Sequence, residues 1–210
     1  MSRLAHRSEG SWGESAVRGR VGRIADRLRE MISGSPVRRP DLLPDLPAVL
    51  RRMPLAEPYL AAVRGADHRR AGVAASSAAE SAIEARAWWA ADAWAHRALW
   101  HYERAEMALA ATRQARRIGD LRTAAGDPRS ARRYYAEAIS EARDLGAERE
   151  EGLAALGLGR ASVDLGDVTT ARRLAAVSVD LLRRAGAPSA ELHDAEELRG
   201  TEKRVSREGS

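Results

Sequence analysis

The chain has 210 residues, 35 basic and 30 acidic, for a net charge of +5, with no cysteine and only 4% aromatic residues. The lack of cysteine excludes disulfides and thiolate metal sites and suits a reducing compartment. No apolar run approaches the roughly twenty residues of a membrane span, and Met1 to Gly10 lacks the apolar centre of a secretory signal, so a cytoplasmic location is the default expectation.

About a fifth of the residues are alanine, the best helix former. No run alternates Val, Ile, Thr and aromatic residues as a strand would. The expected class is all-α. Lys203 is the only lysine, Gln114 the only glutamine, and asparagine is absent. This bias points to a GC-rich, bacterial genome and lowers the weight of any single arginine. The basic excess is uneven: residues 1–72 carry +6, residues 73–200 carry −2 and residues 201–210 carry +1.

Residues 1–14 read as a disordered N-terminus. The segment 15–72 reads as a basic helix followed by a Pro-rich linker. Val17, Val21, Ile24, Leu28, Met31 and Ile32 form one helical stripe, with Arg18, Arg20, Arg23, Arg27 and Arg29 mostly off it. That helix either docks on the rest of the chain or forms a basic arm for nucleic acid or a membrane surface. Seven Gly and Pro residues from Gly34 to Pro58 break any long helix. Short helices fit around Asp45 to Met53 and from Pro58 to Arg64, the second stopping at Gly65.

Residues 74–117 contain neither Gly nor Pro. They form one very long helix, or two joined by a turn with no sequence signal. Trp88, Trp89, Trp94, Trp100, His101 and Tyr102 cluster here, and a helix apolar all round is usually buried. The aromatics are either the main core or an interface for a partner or for self-association.

A forty-residue unit then appears twice across residues 112–186. Ile118-Gly119 recurs as Leu158-Gly159, and Gly126-Asp127 as Gly166-Asp167. Ala131, Tyr134, Tyr135, Ala138, Ile139, Ala142 and Leu145 recur as Ala171, Leu174, Ala175, Ser178, Val179, Leu182 and Ala185. Each unit reads as helix, tight turn, helix. The Gly supplies the left-handed residue that ends the first helix, and the Asp caps the second. Pro128 fits the first helical position. Gly146 and Gly186 close the second helices. Ala91, Ala95 and Ala98 lie forty residues before Ala131, Tyr135 and Ala138, which suggests a degenerate upstream copy.

These residues resemble the tetratricopeptide repeat, whose pattern runs W-x2-L-G-x2-Y, then A-x3-F, then P. The second unit reads Ala155-x2-Leu158-Gly159-x2-Ser162, then Ala171-x3-Ala175; the first reads Ala115-x2-Ile118-Gly119-x2-Arg122, then Ala131-x3-Tyr135. The first aromatic is missing from both, and the period exceeds the family's usual value of about 34. The resemblance implies a repeat domain over 73–199, built as a stack of antiparallel helix pairs that binds partners along its concave face. It places Arg113, Arg116, Asp120, Thr123 and Ala124 on that face in the first copy. In the second it places Leu153, Leu156, Arg160, Val163 and Asp164 there. Arg113, Arg116 and Arg160 would either grip an acidic peptide or simply solvate the helix.

Pro188 to Leu198 reads as a polar helix with a narrow apolar stripe, suited to capping a stack. Residues 200–210 read as a disordered tail. No catalytic constellation is present: no H-E-x-x-H, no phosphate loop, no G-x-S-x-G. No two of the five histidines sit three or four residues apart. Glu148, Glu150 and Glu151 read as a solvated helix start. No cofactor or metal is expected. The sequence points to a non-enzymatic scaffold, adaptor or regulator that binds another protein or an acidic peptide. The alternative is a nucleic-acid-associated regulator using Arg18 to Arg29.

Overall fold

In a computed structural model of the chain, Leu50 and residues 56–200 are described. They lie within a unit running from Pro40 to Ser210. Residues 56–200 form eight α-helices: α1 (Ala56–Arg64), α2 (His68–Glu84), α3 (Trp88–Arg104), α4 (Ala108–Ala124), α5 (Pro128–Asp144), α6 (Glu148–Asp164), α7 (Val168–Arg184) and α8 (Ser189–Gly200). There is no strand among the described residues. The class is all-α, a repeat-like succession of helices each packed on the next. The basic helix expected over 15–32, nearly all of the linker and the tail after 200 lie outside the described residues, although Leu50 is helical and fully buried.

The forty-residue unit proves to be two equal halves. Helices α2 to α7 are 17 residues each, and their starts fall every twenty residues. The middle residue of each short turn takes a positive φ: Gly126 at 77°, Gly146 at 65°, Gly166 at 79° and Gly186 at 62°. Each turn is also closed by one backbone bond reaching five residues back. Asp127 N donates to Arg122 O, Asp167 N to Ser162 O and Ala147 N to Ala142 O. This bond satisfies carbonyls that the helix end leaves free. Asp127 and Asp167 accept from Ser130 N and Thr170 N at 3.1 Å, as helix N-caps.

The Gly-free stretch 74–117 is neither one helix nor two. It covers most of α2, all of α3 and part of α4, with turns at 85–87 and 105–107. Arg86 and Glu106 hold the left-handed position at φ 54°, and Ala66 does so at 53° after α1. The same closing bond is present, from Ala87 N to Ala82 O and from Met107 N to Tyr102 O. Neither Ala87 nor Met107 offers a side-chain cap. A left-handed residue other than Gly costs roughly 1–2 kcal/mol, and burial of the flanking helices offsets it. That is why the turns left no mark in the composition.

Three helix pairs result: α2–α3, α4–α5 and α6–α7. Consecutive helices pack throughout. In addition α4 touches α6 and α6 touches α8, so these alternate helices form one layer. Small residues let the layers close. A Cβ on Gly119 would stand 2.7 Å from the Tyr135 ring, and one on Gly157 only 2.3 Å from it. The ring of Tyr135 on α5 is therefore held between backbone of α4 and α6. Gly72 is covered by Tyr102 and Gly152 by Leu182. These two contacts occupy equivalent places two periods apart.

Helix α8 ends the stack. Ala195 is its one buried residue, and Leu192 and Leu198 pack with Leu153 onto a cluster of Leu156, Val179, Leu182 and Ala187. Its other side carries exposed His193, Glu196 and Glu197. No helix among the described residues is long and apolar enough to cross a membrane.

Candidate interaction face on the first helices

The helix period explains how the charged side chains of α2, α4, α6 and α8 meet. Residues forty apart occupy equivalent places on neighbouring first helices. Residues thirty-seven apart are thus displaced by one turn, which suits a long Arg reaching a carboxylate. Two ion pairs have this separation. Arg113 Nε donates to Glu150 Oε1 at 2.7 Å, linking α4 to α6, and Arg117 Nη1 donates to Glu80 Oε1 at 2.5 Å, linking α4 to α2. Arg160 and Arg149 on α6 continue the row to Asp194 and Glu191 on α8, at 3.1 Å and 3.0 Å.

The centre of the row is tighter. Arg116 Nη1 donates to Asp120 Oδ2 at 2.9 Å, and its Nε lies 3.6 Å from Glu150 Oε2. Tyr135 Oη donates to the other oxygen of Asp120 at 2.8 Å. Although its side chain is half accessible, partial desolvation by its neighbours pushes the Asp120 carboxyl pKa up, while Arg116 and the Tyr135 hydroxyl pull it back. Burial likewise pushes the Tyr135 phenol up.

All three arginines assigned to partner binding are therefore engaged within the chain. Arg113 and Arg116 share Glu150, and Arg160 meets Asp194. Glu150 and Glu151 are not a solvated helix start: they are 5% and 8% exposed. Glu150 takes Arg113 and Arg116, and Glu151 takes Arg143 of α5 at 2.6 Å. The α5–α6 turn presses the start of α6 against its neighbours, so only Glu148 of the three acids stays half-exposed, beside Arg184 at 3.0 Å. Leu153 and Leu156 do not form an open face either, because α8 covers them. Asp120, Val163 and Asp164 are exposed. The acidic partners Glu80, Glu150, Glu191 and Asp194 were missed by sequence reasoning, although for Glu80 and Glu150 the separation of thirty-seven residues from an Arg was a readable signal.

The aromatic group divides. Trp94 is fully buried, edge-on to Tyr59 with ring centroids 5.1 Å apart. Tyr102 is buried over Gly72. Both are core. Trp100 is half-buried, with the Arg104 guanidinium 4.3 Å above its ring. Trp88 and Trp89 are 44% and 56% exposed at the uncapped start of α3. On the same helix His96 bridges Asp92 O and Tyr134 Oη, both at 2.8 Å, so it ties α3 to α5.

Two histidines thirty-three residues apart are brought together. His68 Nδ1 and His101 Nδ1 lie 2.9 Å apart, and His101 Nε2 is 3.3 Å from Tyr59 Oη. No three His, Cys, Asp or Glu side chains converge as metal ligands among the described residues. No protein-family model matches the chain, and no curated protein aligns with it.

Proposed function

We propose that the chain is a non-enzymatic scaffold or adaptor that binds another protein through its row of first helices. The reading follows the tetratricopeptide resemblance of the two repeat units. The observation that carries it is the layer of first helices itself: α4 contacts α6 and α6 contacts α8, and ion pairs run from one to the next. The pairs are unequal. Arg160–Asp194 and Arg117–Glu80 are exposed on both sides, with side chains 41–52% accessible. An exposed pair of this kind contributes only about 0–1 kcal/mol, so a partner carboxylate exchanges into it at little cost. The pair at Glu150 is buried, and removing one member would strand a charge. The partner accordingly engages Arg117 and Arg160, and the Arg113–Arg116–Glu150 group holds the face in shape.

The test starts from chemical cross-linking of the full chain in native extract, followed by titration of the captured protein in purified form. Replacing Arg117 and Arg160 together by Ala is expected to weaken binding at least about tenfold, roughly 1.4 kcal/mol, with little change in melting temperature. Unchanged affinity in the folded double variant overturns the assignment of the face.

A further inference from the structure

The face of first helices does not stop at Arg117. Forty residues before Arg113, Gln114 and Arg117 of α4, helix α2 has Val73, Ala74 and Ser77. These are the same places with the long side chains removed. From Ala71 to Ala79 α2 holds nothing larger than valine, and α1 meets it with Ala61 and Ala62. The result is an open groove of about 940 Å³ between α1 and α2. Val73 lines it and is 50% exposed. Covering such apolar surface is favourable in proportion to its area.

Charge selects what covers it. Arg69 and Arg70 line the same groove, and both are exposed. Asp67, which also lines it, caps α2 through Arg70 N at 2.9 Å and lies 3.4 Å from the Arg70 guanidinium. Among the described residues two guanidiniums thus stand against one carboxylate. At the other end Ser77 lines the groove, and its neighbour Ser76 accepts from Arg117 Nη1 at 3.3 Å. The groove therefore runs into the Arg117 end of the charged row. We infer that the α1–α2 groove seats an aliphatic side chain from an acidic segment of the partner protein, with the adjoining carboxylate on Arg69 or Arg70. The inference rests on the reading of the first helices as a protein-binding face, and it names the kind of segment that face takes.

A random library of short peptides displayed on phage is selected on the full chain. The most enriched peptide is synthesised and titrated by fluorescence anisotropy. Enriched sequences are expected to place Leu, Ile or Val beside Asp or Glu. Val73→Glu changes an exposed residue and sets a like charge against the peptide, so it is expected to weaken binding at least about tenfold. Joint replacement of Arg69 and Arg70 by Ser is expected to weaken it too. No enrichment, equal binding of a scrambled peptide, or unchanged affinity in Val73→Glu overturns the groove. So does a dimer of the full chain, seen in sedimentation, that Val73→Glu dissociates, because a second copy then fills the groove. Loss of the peptide in Arg117→Ala with Arg160→Ala, but not in Val73→Glu, overturns the groove and keeps the face. The reverse result keeps the groove and overturns the assignment of Arg117 and Arg160.

Discussion

The two ends of the stack reach one architecture by different chemistry. From α4 onward the turns have Gly at the left-handed position, the charges pair between helices, and one tyrosine fills the gap left by two glycines. From α1 to α3 the turns use Ala66 and Arg86, and the core is filled by Trp94, Tyr59 and the histidine pair, with Arg97 buried beside the Trp94 ring. The backbone closes each turn with the same bond in both regions. The comparison teaches that the twenty-residue helix-and-turn step is the conserved quantity within this chain, and that large aromatic burial can stand in for turn chemistry.

The largest effect that would break the comparison lies at the aromatic end. Trp94→Ala is expected to lose about 3–5 kcal/mol by denaturant titration, whereas Trp89→Ala on the same helix should stay within about 0.5 kcal/mol. Comparable losses at both positions would mean that the exposed tryptophan also stabilises the stack.

Acid comes next. His101 has a folded pKa of about 4 against an ordinary 6.5, so the unfolded chain binds the proton more readily. Stability contributed by the neutral ring is complete above about pH 6.5 and is lost as pH falls toward 4, by up to about 3 kcal/mol. His101→Phe should flatten that part of the stability–pH curve, and an unchanged slope would show that His101 is not the group responsible.

At the other end the contact to disturb is the Tyr135 ring. Gly157→Ala drives a methyl into it, and Gly119 on the opposite side leaves no room to retreat. A loss of about 1–3 kcal/mol is expected, and pairing the substitution with Tyr135→Leu should recover part of it. A neutral Gly157→Ala would mean that the ring is not clamped.

The smallest effects sharpen the contrast between turns. Nothing lies within 4 Å of a Cβ added at Gly126, so Gly126→Ala should cost only the backbone strain, about 1 kcal/mol. Arg86→Gly at the equivalent place should be neutral or stabilising by a few tenths of a kcal/mol, because relief of strain is offset by the freer unfolded chain. Melting temperatures of the two variants moving in the same direction would refute the equivalence of the turns.

Helical class, the forty-residue repeat, the Gly-Asp turns and the capping role of α8 were readable because each rests on local chemistry: a propensity, a left-handed residue, a side-chain cap or an apolar stripe. The turns at Arg86 and Glu106 were not, since their stability comes from the packing of α2, α3 and α4 and the residues at the bend merely tolerate it. The same reason separates the candidate site from its sequence reading. Arg113, Arg116 and Arg160 could be placed on one face from the period. Their neutralisation by Glu150 and Asp194 depended on how closely the first helices approach, and so did the burial of Leu156 beneath α8. Local sequence settled where helices begin and end in the glycine-marked half. Tertiary packing settled which charges pair between helices and which tryptophans are core, because those outcomes rest on contacts between residues far apart in sequence, such as Arg113 with Glu150 and Tyr59 with Trp94.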